Sequence, residues 1–151
     1  MTTISPFLWF DTQAEEAMNF YASIFPRSKV LSVNRMQGRV LSVEFALVGQ
    51  KFMALNAVPH HTFTAAVSFF VGCETQAEID TLWQKLTVDG GQPGQCGWLK
   101  DRFGLSWQIV PTSLQDLLGG PDPTAGGRVM QAMMKMGKIE VAELEAALNA
   151  G

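Results

Sequence analysis

One short pattern is written twice along this 151-residue chain, and it constrains the fold more than any other feature. "TQAEEAMNFY" begins at Thr12, and "TQAEIDTLWQ" begins at Thr75. Both begin Thr-x-x-Glu, the capping box, in which the threonine and the glutamate each accept a backbone amide of the other. Apolar residues follow at helical spacing, and the two stripes match best when Ala17 is aligned with Ile79, an offset of 62. The repeat predicts two equivalent helices in a duplicated unit.

The segments around the two helices also correspond. Residues 4–11 ("ISPFLWFD") and 66–74 ("AVSFFVGCE") are short, apolar and aromatic, which is typical of strands. After the first helix, "KVLSVNR", "RVLSVEFALVG" and "QKFMALN" alternate with period two; after the second come a weak return strand, "QCGWLKD" and "LSWQIVP". The pattern of each half therefore predicts a strand, a helix and three further strands, with the helix covering one face of the sheet. The predicted fold class is α+β: two βαβββ modules forming paired curved sheets, a half-barrel with a ligand cleft between them.

Residues 1–111 are predicted to form this duplicated domain, with modules at about 1–58 and 64–111. Residues 112–151, the C-terminal tail, are predicted to contain a short helix, a loop "GGPDPTAGG" and two further helices. A methionine-rich stripe runs along these helices. Packing of the stripe on the domain or on a dimer mate is the favoured interpretation, and a partner-binding face is the alternative.

The composition excludes several classes of function. The net charge is −3 and basic residues are scattered, which argues against nucleic-acid binding. No apolar stretch approaches the roughly 18 residues that would suggest a membrane span, and the N-terminus lacks a signal-peptide pattern. The two cysteines, Cys73 and Cys96, are expected to be reduced thiols in the cytoplasm, with one disulfide or a reactive Cys96 as alternatives.

Four stretches resemble the vicinal oxygen chelate superfamily, which includes glyoxalase I, bleomycin-resistance proteins and extradiol dioxygenases. They are "PFLWFDTQAEEAMNFYASIFPRSKV", "FMALNAVPHHTFTAAVSFFVGCETQAE", "CGWLKDRFGLSWQIVP" and "RVMQAMMKMGKIEVAELEAA". The chain is most similar to the PhnB-like branch, often labelled 3-demethylubiquinone-9 3-methyltransferase-like. The resemblance implies the same duplicated fold, a homodimer and a small organic ligand. This chain departs from the branch at Asn56-Ala57-Val58-Pro59, where Asn-Gly-Gly-Pro is common, and in a short hairpin at "RMQGRV".

The resemblance also implies four positions at which metal-dependent relatives carry His or Glu ligands. Here they fall near Ser5, at Met53, near Ser68 and at Gln108. A serine hydroxyl and a methionine sulfur are poor donors for a hard or borderline divalent ion, and the amide of Gln108 has the shape of a carboxylate without its charge. We therefore expect no metal cofactor, with a divalent cation as the less favoured alternative.

A methyltransferase would need a glycine-rich strand-to-helix loop for S-adenosylmethionine, but the two joins read "FDTQAE" and "CETQAE". The predicted function is metal-free binding of a planar or amphiphilic small molecule in an uncharged cleft. An enzyme of this fold, with His60 as a weak candidate for a general base, and a partner-binding module that uses the tail are the alternatives. The predicted ligand-binding residues are Trp9, Met53, Asn56, Ser68, Trp98 and Gln108.

Overall fold

The chain folds into two compact units, Met1–Thr62 and Phe63–Gly151. The structure is a computed structural model, and it describes residues 1–59 and 61–151. Within that part of the chain, no helix has the length and apolar character needed to cross a bilayer.

The first unit is a four-stranded mixed sheet with one helix. Its elements are β1 (Phe7–Phe10), α1 (Ala14–Ile24), β2 (Lys29–Met36), β3 (Arg39–Leu47) and β4 (Gln50–Asn56). The strand order is β1-β4-β3-β2, with β1 parallel to β4 and the other pairs antiparallel. Gln37 and Gly38 both have positive φ, 51° and 77°, as a two-residue hairpin turn between β2 and β3 requires.

The second unit repeats this arrangement with shorter middle strands. Its elements are β5 (Ser68–Cys73), α2 (Gln76–Leu86), β6 (Gln92–Pro93), β7 (Trp98–Lys100) and β8 (Ser106–Pro111). The order is β5-β8-β7-β6, and β5 is parallel to β8. The two-residue β6 is the strand that the sequence predicted to be weak. The α+β class and the two βαβββ modules are confirmed.

The strand registers define which residues of the two units are equivalent. Phe7 pairs with Met53 in the first sheet, and Phe70 pairs with Gln108 in the second. Phe7 therefore corresponds to Phe70, and Met53 to Gln108. The helices α1 and α2 both have 11 residues and begin 62 residues apart, at Ala14 and Gln76, as the apolar stripes indicated.

The predicted capping boxes are only half confirmed. At α2, the Thr75 hydroxyl accepts from the Glu78 amide at 3.2 Å, although the Glu78 carboxylate accepts from Glu74 and not from Thr75. At α1 the prediction is wrong, because the N-cap residue is Gln13 and no side-chain cap bond is made there. The reason is tertiary: a side chain from the end of β4, described below, supplies the acceptor instead.

In each sheet, one face is buried under the helix of the same unit. In the first unit, Tyr21 of α1 stacks on Phe45 of β3 with ring centroids 6.4 Å apart. In the second, Phe69 and Trp107 lie 5.2 Å apart on the face predicted to be covered, and Trp107 is 3% exposed. Because side chains alternate along a strand, the neighbours of these residues lie on the opposite face.

The C-terminal tail contains α3 (Leu114–Leu118), α4 (Pro123–Met134) and α5 (Val141–Leu148). The predicted loop "GGPDPTAGG" is wrong in its second half, because α4 begins at Pro123, where the Asp122 carboxylate accepts from the Thr124 amide at 2.9 Å. Pro at the first helical position and Asp at the cap are strong start signals that outweigh two glycines. Gly126 is needed there, since a Cβ would lie 2.4 Å from the Leu118 carbonyl oxygen.

The tail packs into the second unit through an apolar core and through backbone hydrogen bonds. Val110 of β8 is buried together with five tail residues, Leu117, Val129, Met136, Ile139 and Leu144. The Gln76 amide at the start of α2 donates to the Ile139 carbonyl at 2.9 Å and accepts from the Val141 amide at 2.8 Å. Met136 is buried and Met133 packs against this core, whereas Met130 and Met134 are 39% and 63% exposed.

Candidate functional site

The side of the first sheet that faces away from α1 is the best candidate site, and we call it the open face. Register places its residues in two adjacent rows across the strands. One row holds Phe7, Met53, Glu44 and Ser32, and the other holds Trp9, Leu55, Ser42 and Asn34. All are half-buried except for the exposed Phe7 and Asn34. The β1–β4 half of the open face is apolar, and the β3–β2 half is polar.

Trp9 is held in place by the segment that follows β4. Its indole N–H donates to the Val58 carbonyl at 3.0 Å, and its ring makes an edge contact with His61 at a centroid distance of 4.8 Å. These two contacts fix the orientation of the Trp9 side chain, which favours a binding surface that is formed before any ligand arrives.

The sequence predicted an uncharged binding site, but the open face carries charged side chains. Glu44 lies directly opposite Met53, and its Oε2 forms an ion pair with the Lys51 ammonium at 3.3 Å. The Asn34 amide donates to the Ser42 hydroxyl at 3.0 Å in the neighbouring row. Sequence reasoning missed Glu44, although it sits between Val43 and Phe45 in a strand with period two, and that alternation could have placed it opposite the core.

Asn56, a predicted ligand-binding residue, lies on the other side of the sheet at the start of α1. Its Oδ1 accepts from the Ala14 amide at 2.9 Å, and its Nδ2 donates to the Val40 carbonyl at 3.2 Å. It borders a separate cavity of about 620 Å³ at that helix end. The structure thus uses its amide as a long-range helix cap.

In the second unit, the structure brings the predicted residues Ser68, Trp98 and Gln108 together on one face, which they share with Phe70. Phe70, Gln108 and Trp98 form a row across β5, β8 and β7. The Gln108 amide nitrogen donates to the Ser68 hydroxyl at 2.9 Å. The predicted ligand-binding residues therefore form two groups, Trp9 with Met53 in the first unit and Ser68, Trp98 and Gln108 in the second. The predicted cleft between the two sheets stays a prediction.

Alternation along β8 places Ser106 and Val110 on the same face as Gln108, but neither side chain is accessible to a ligand. Ser106 and Val110 are each 3% exposed, and Val110 is covered by the tail.

Asp101, at the turn between β7 and β8, is a buried anchor for β8. It is 2% exposed, and its carboxylate accepts from the Phe103 and Leu105 amides and from the Trp107 indole at 2.9–3.1 Å. These charge-assisted bonds fix the turn and the strand that carries Gln108.

Histidine and cysteine are the remaining residue types that could take part in a reaction. His60, the weak candidate for a general base, lies outside the described residues. Cys73 and Cys96 are free thiols. Burial, reinforced by the charge of Glu78, raises the pKa of the Cys73 thiol to about 11, so this group stays protonated and unreactive at neutral pH.

Comparison with known proteins decides the family. The family model described as 3-demethylubiquinone-9 3-methyltransferase matches residues 2–110. The chain belongs to this family. The PhnB protein from Bacillus cereus is 38% identical with a TM-score of 0.69, and the match covers 74% of this chain and 100% of that one. A search of curated proteins returns no match. The family match stops at the end of β8, so the C-terminal tail lies beyond it.

More distant structures share the fold. Protein PA1353 from Pseudomonas aeruginosa is 18% identical with a TM-score of 0.60, over 74% of this chain and 98% of that one. The fosfomycin resistance protein FosX from Listeria monocytogenes, in a complex with Mn(II) and sulfate, is 11% identical with a TM-score of 0.56, over 79% of this chain and 97% of that one. These likenesses show that this PhnB-like protein shares its fold with both of these proteins.

The donor set of this PhnB-like protein does not fit the metal that such a fold can hold. The equivalent positions carry Met53 in the first unit and Gln108 in the second, and Gln108 is hydrogen-bonded to Ser68, itself a predicted metal position. Among residues 1–59 and 61–151, no group of three His, Cys, Asp or Glu side chains is placed to hold an ion. A thioether, an amide and hydroxyls offer no negative charge to a divalent cation.

Proposed function

We propose that this PhnB-like protein binds a small amphiphilic organic molecule on the open face of its first sheet, without a bound metal ion. One observation carries the proposal: Trp9, Met53 and Leu55 form a half-buried apolar patch that borders the polar strip of Ser42 and Glu44 on a single sheet face. Such a patch suits an aromatic or aliphatic body, and the polar strip suits a head group.

Methyl transfer is not part of the proposal. An S-adenosylmethionine site of the common type needs a glycine-rich turn between a strand and a helix in a parallel sheet. Here both sheets are mixed, and the segments between β1 and α1 and between β5 and α2 contain no glycine. These segments do not fit that cofactor.

The test is titration of the protein with 1-naphthalenemethanol, a neutral amphiphile, followed by isothermal calorimetry. Met53→Gln should weaken binding about tenfold, because it places an amide in the apolar half of the open face. Met134→Gln is the matched control, since Met134 is 63% exposed on α4 in the other unit and should leave the affinity unchanged. Equal affinity in wild type and both variants, or no binding by the wild type, would refute the proposal.

The proposal that the protein binds its ligand without a metal ion has a separate test. Titration with Mn²⁺, Zn²⁺, Ni²⁺ and Fe²⁺ should show no tight stoichiometric binding. Tight binding of one ion per chain that disappears in Gln108→Ala would overturn it.

We also propose a cytoplasmic homodimer. The free thiols of Cys73 and Cys96 suit a reducing compartment. The edge strand β2 exposes Val30, Leu31 and Met36 by 43%, 44% and 60%, which gives a second copy an apolar surface to cover. Light scattering that gives a monomer mass at every concentration would contradict the dimer, and a disulfide-linked species recovered from cells would contradict the compartment.

A further inference from the structure

We propose that Glu44 binds the head group of the ligand and selects an amphiphile with a cationic amine over one with an anionic head. The inference rests on the proposed function, because it assigns the ligand class of the same open face. It goes further by naming a charged residue that neither the sequence motifs nor the family comparisons single out.

The position of Glu44 supports this role. It lies in β3, two strands from β1, with Met53 directly beside it on β4 and Ser32 on β2. It therefore sits where the apolar half of the open face meets the polar half. A ligand whose body covers Met53 and Trp9 would bring its head within reach of this carboxylate.

The hydrogen bonding of Glu44 leaves capacity for a ligand. Lys51 contacts Oε2 at 3.3 Å, a long distance for a charged pair, and its side chain is 45% exposed. Within the described ranges, 1–59 and 61–151, no protein group forms a hydrogen bond or an ion pair with Oε1 of Glu44. An ionised carboxylate offers about four acceptor sites and no donor. The head group it receives must therefore be a hydrogen-bond donor, and a cationic donor gains most.

The partial burial of Glu44 strengthens the effect of its charge on ligand selection. The Glu44 side chain is 30% exposed, and a bound molecule would remove much of its remaining water. A carboxylate that loses water needs a compensating charge, and Lys51 supplies only part of it from the diagonal position on β4. An ammonium head completes the compensation, whereas a carboxylate head would add a second negative charge beside Glu44.

The experiment compares three probes with one aromatic body: 1-naphthylmethylamine, 1-naphthalenemethanol and 1-naphthoate, titrated into the full chain at neutral pH. We expect the amine to bind at least about tenfold more tightly than the carboxylate, with the alcohol between them. In Glu44→Gln this preference should vanish, while the affinity for the alcohol stays within about twofold of wild type, since the variant preserves shape.

Two further variants sharpen the result. Lys51→Gln removes the competing cation and should increase the preference for the amine. Glu143→Gln removes a carboxylate from α5 in the other unit and should leave the preference unchanged, which controls for the net charge of the chain. Thermal unfolding of each variant checks that the fold is retained.

The outcomes separate this inference from the proposed function. If the alcohol binds and Met53→Gln weakens it, but amine and carboxylate bind equally or Glu44→Gln changes nothing, the head-group inference is overturned and the proposed function stands. If none of the three probes binds to the wild type, the proposed function fails and this inference fails with it.

Discussion

The two units are built from the same module, yet they close the start of the helix in different ways. In the first unit, the Asn56 amide bridges the Ala14 amide of α1 to the Val40 carbonyl of β3. The equivalent position in the second unit is Pro111, because Asn56 pairs with Phe10 as Pro111 pairs with Cys73. Proline has no side-chain amide to make that bridge.

In the second unit, the Thr75 hydroxyl caps α2, and the first residue of the helix is joined to the C-terminal tail instead of to the sheet. The Gln76 side chain binds the backbone of Ile139 and Val141, while the amides of Cys96 and Gly97 donate to the Met136 and Gly137 carbonyls, each at 2.8 Å. Cys96 and Gly97 have φ of +58° and +83°, so two successive N–H groups can turn toward the tail.

The middle strands of the two units also differ in length. In the first unit, β3 is flanked by the eight-residue β2, whereas in the second unit β6 has two residues and β7 has three. The tail backbone bonds to Cys96 and Gly97 between β6 and β7, at the place where the first unit has the longer β2–β3 hairpin. In the first unit one side chain ties the start of the helix to the sheet, whereas in the second the start of the helix is tied to a segment of 40 residues, 112–151, that shares a core with β8.

Removal of the tail is expected to have the largest effect. A chain cut after Pro111 loses the five tail residues that bury Val110, and each buried side chain of this size contributes about 1.5–3 kcal/mol. The second unit should lose on the order of 5 kcal/mol or more and expose its core. Urea unfolding followed by tryptophan fluorescence measures this loss.

A chain cut after Asn149 is the control, since it keeps the bonds from Arg128 to the Ala147 and Leu148 carbonyls. If the chain cut after Pro111 unfolded at the same urea concentration as wild type, the tail would be an appendage and the comparison between units would be wrong.

Gln76 and Gln13 occupy matching places in the two Thr-Gln-Ala-Glu repeats, so they form a natural pair of variants. Gln76→Ala leaves the Ile139 carbonyl and the Val141 amide without their partner and should lower the free energy of unfolding by about 1–3 kcal/mol. Gln13→Ala should change it by less than about 0.5 kcal/mol, because Gln13 is exposed and makes no side-chain cap bond. Equal losses in thermal unfolding would refute the assigned difference.

The smallest effect concerns the ion pair between Asp80 of α2 and Lys138 of the tail, 2.6 Å apart. Hydrogen bonds from Lys138 and then from Gln76 lower the pKa of the Asp80 carboxyl, and the bond to Asp80 raises the pKa of Lys138. A carboxyl whose folded-state pKa is depressed stabilises the fold above its unfolded pKa of about 3.9, and this contribution is lost as the pH falls further. The raised pKa of the lysine gives a contribution that is present below about pH 10.4 and is lost above it.

The stability difference between wild type and Asp80→Asn should therefore be constant near neutral pH and should shrink below about pH 4. Lys138→Gln should reduce the same acid dependence, because it removes the main cause of the lowered Asp80 pKa and leaves the bond from Gln76. A difference that grew on acidification would contradict the sign of this linkage. Asp80 is exposed and Lys138 is half-buried, so solvent screens the pair, and the effect is small and should weaken in high salt.

Local pattern was enough to predict most of the elements. Period-two alternation gave β2, β3 and β4, the recurring apolar stripe gave α1 and α2 with their offset, and the glycine and proline breaks gave the weak β6. These signals are local because a strand or a helix buries one face, and the spacing of apolar residues records which face that is. The absence of charged ligands at Met53 and Gln108 was also visible in the chain itself.

Tertiary structure alone decided what several polar residues do. The cap of α1 comes from Asn56, 42 residues away, and so Thr12 is not used although its motif matches. Glu44 became part of the candidate site only when strand pairing set it beside Met53, and Gln76 acquired its role from backbone 65 residues further on. A sequence specifies which groups need a hydrogen-bond partner, but partners distant along the chain are chosen by packing, because only the folded backbone brings them within reach.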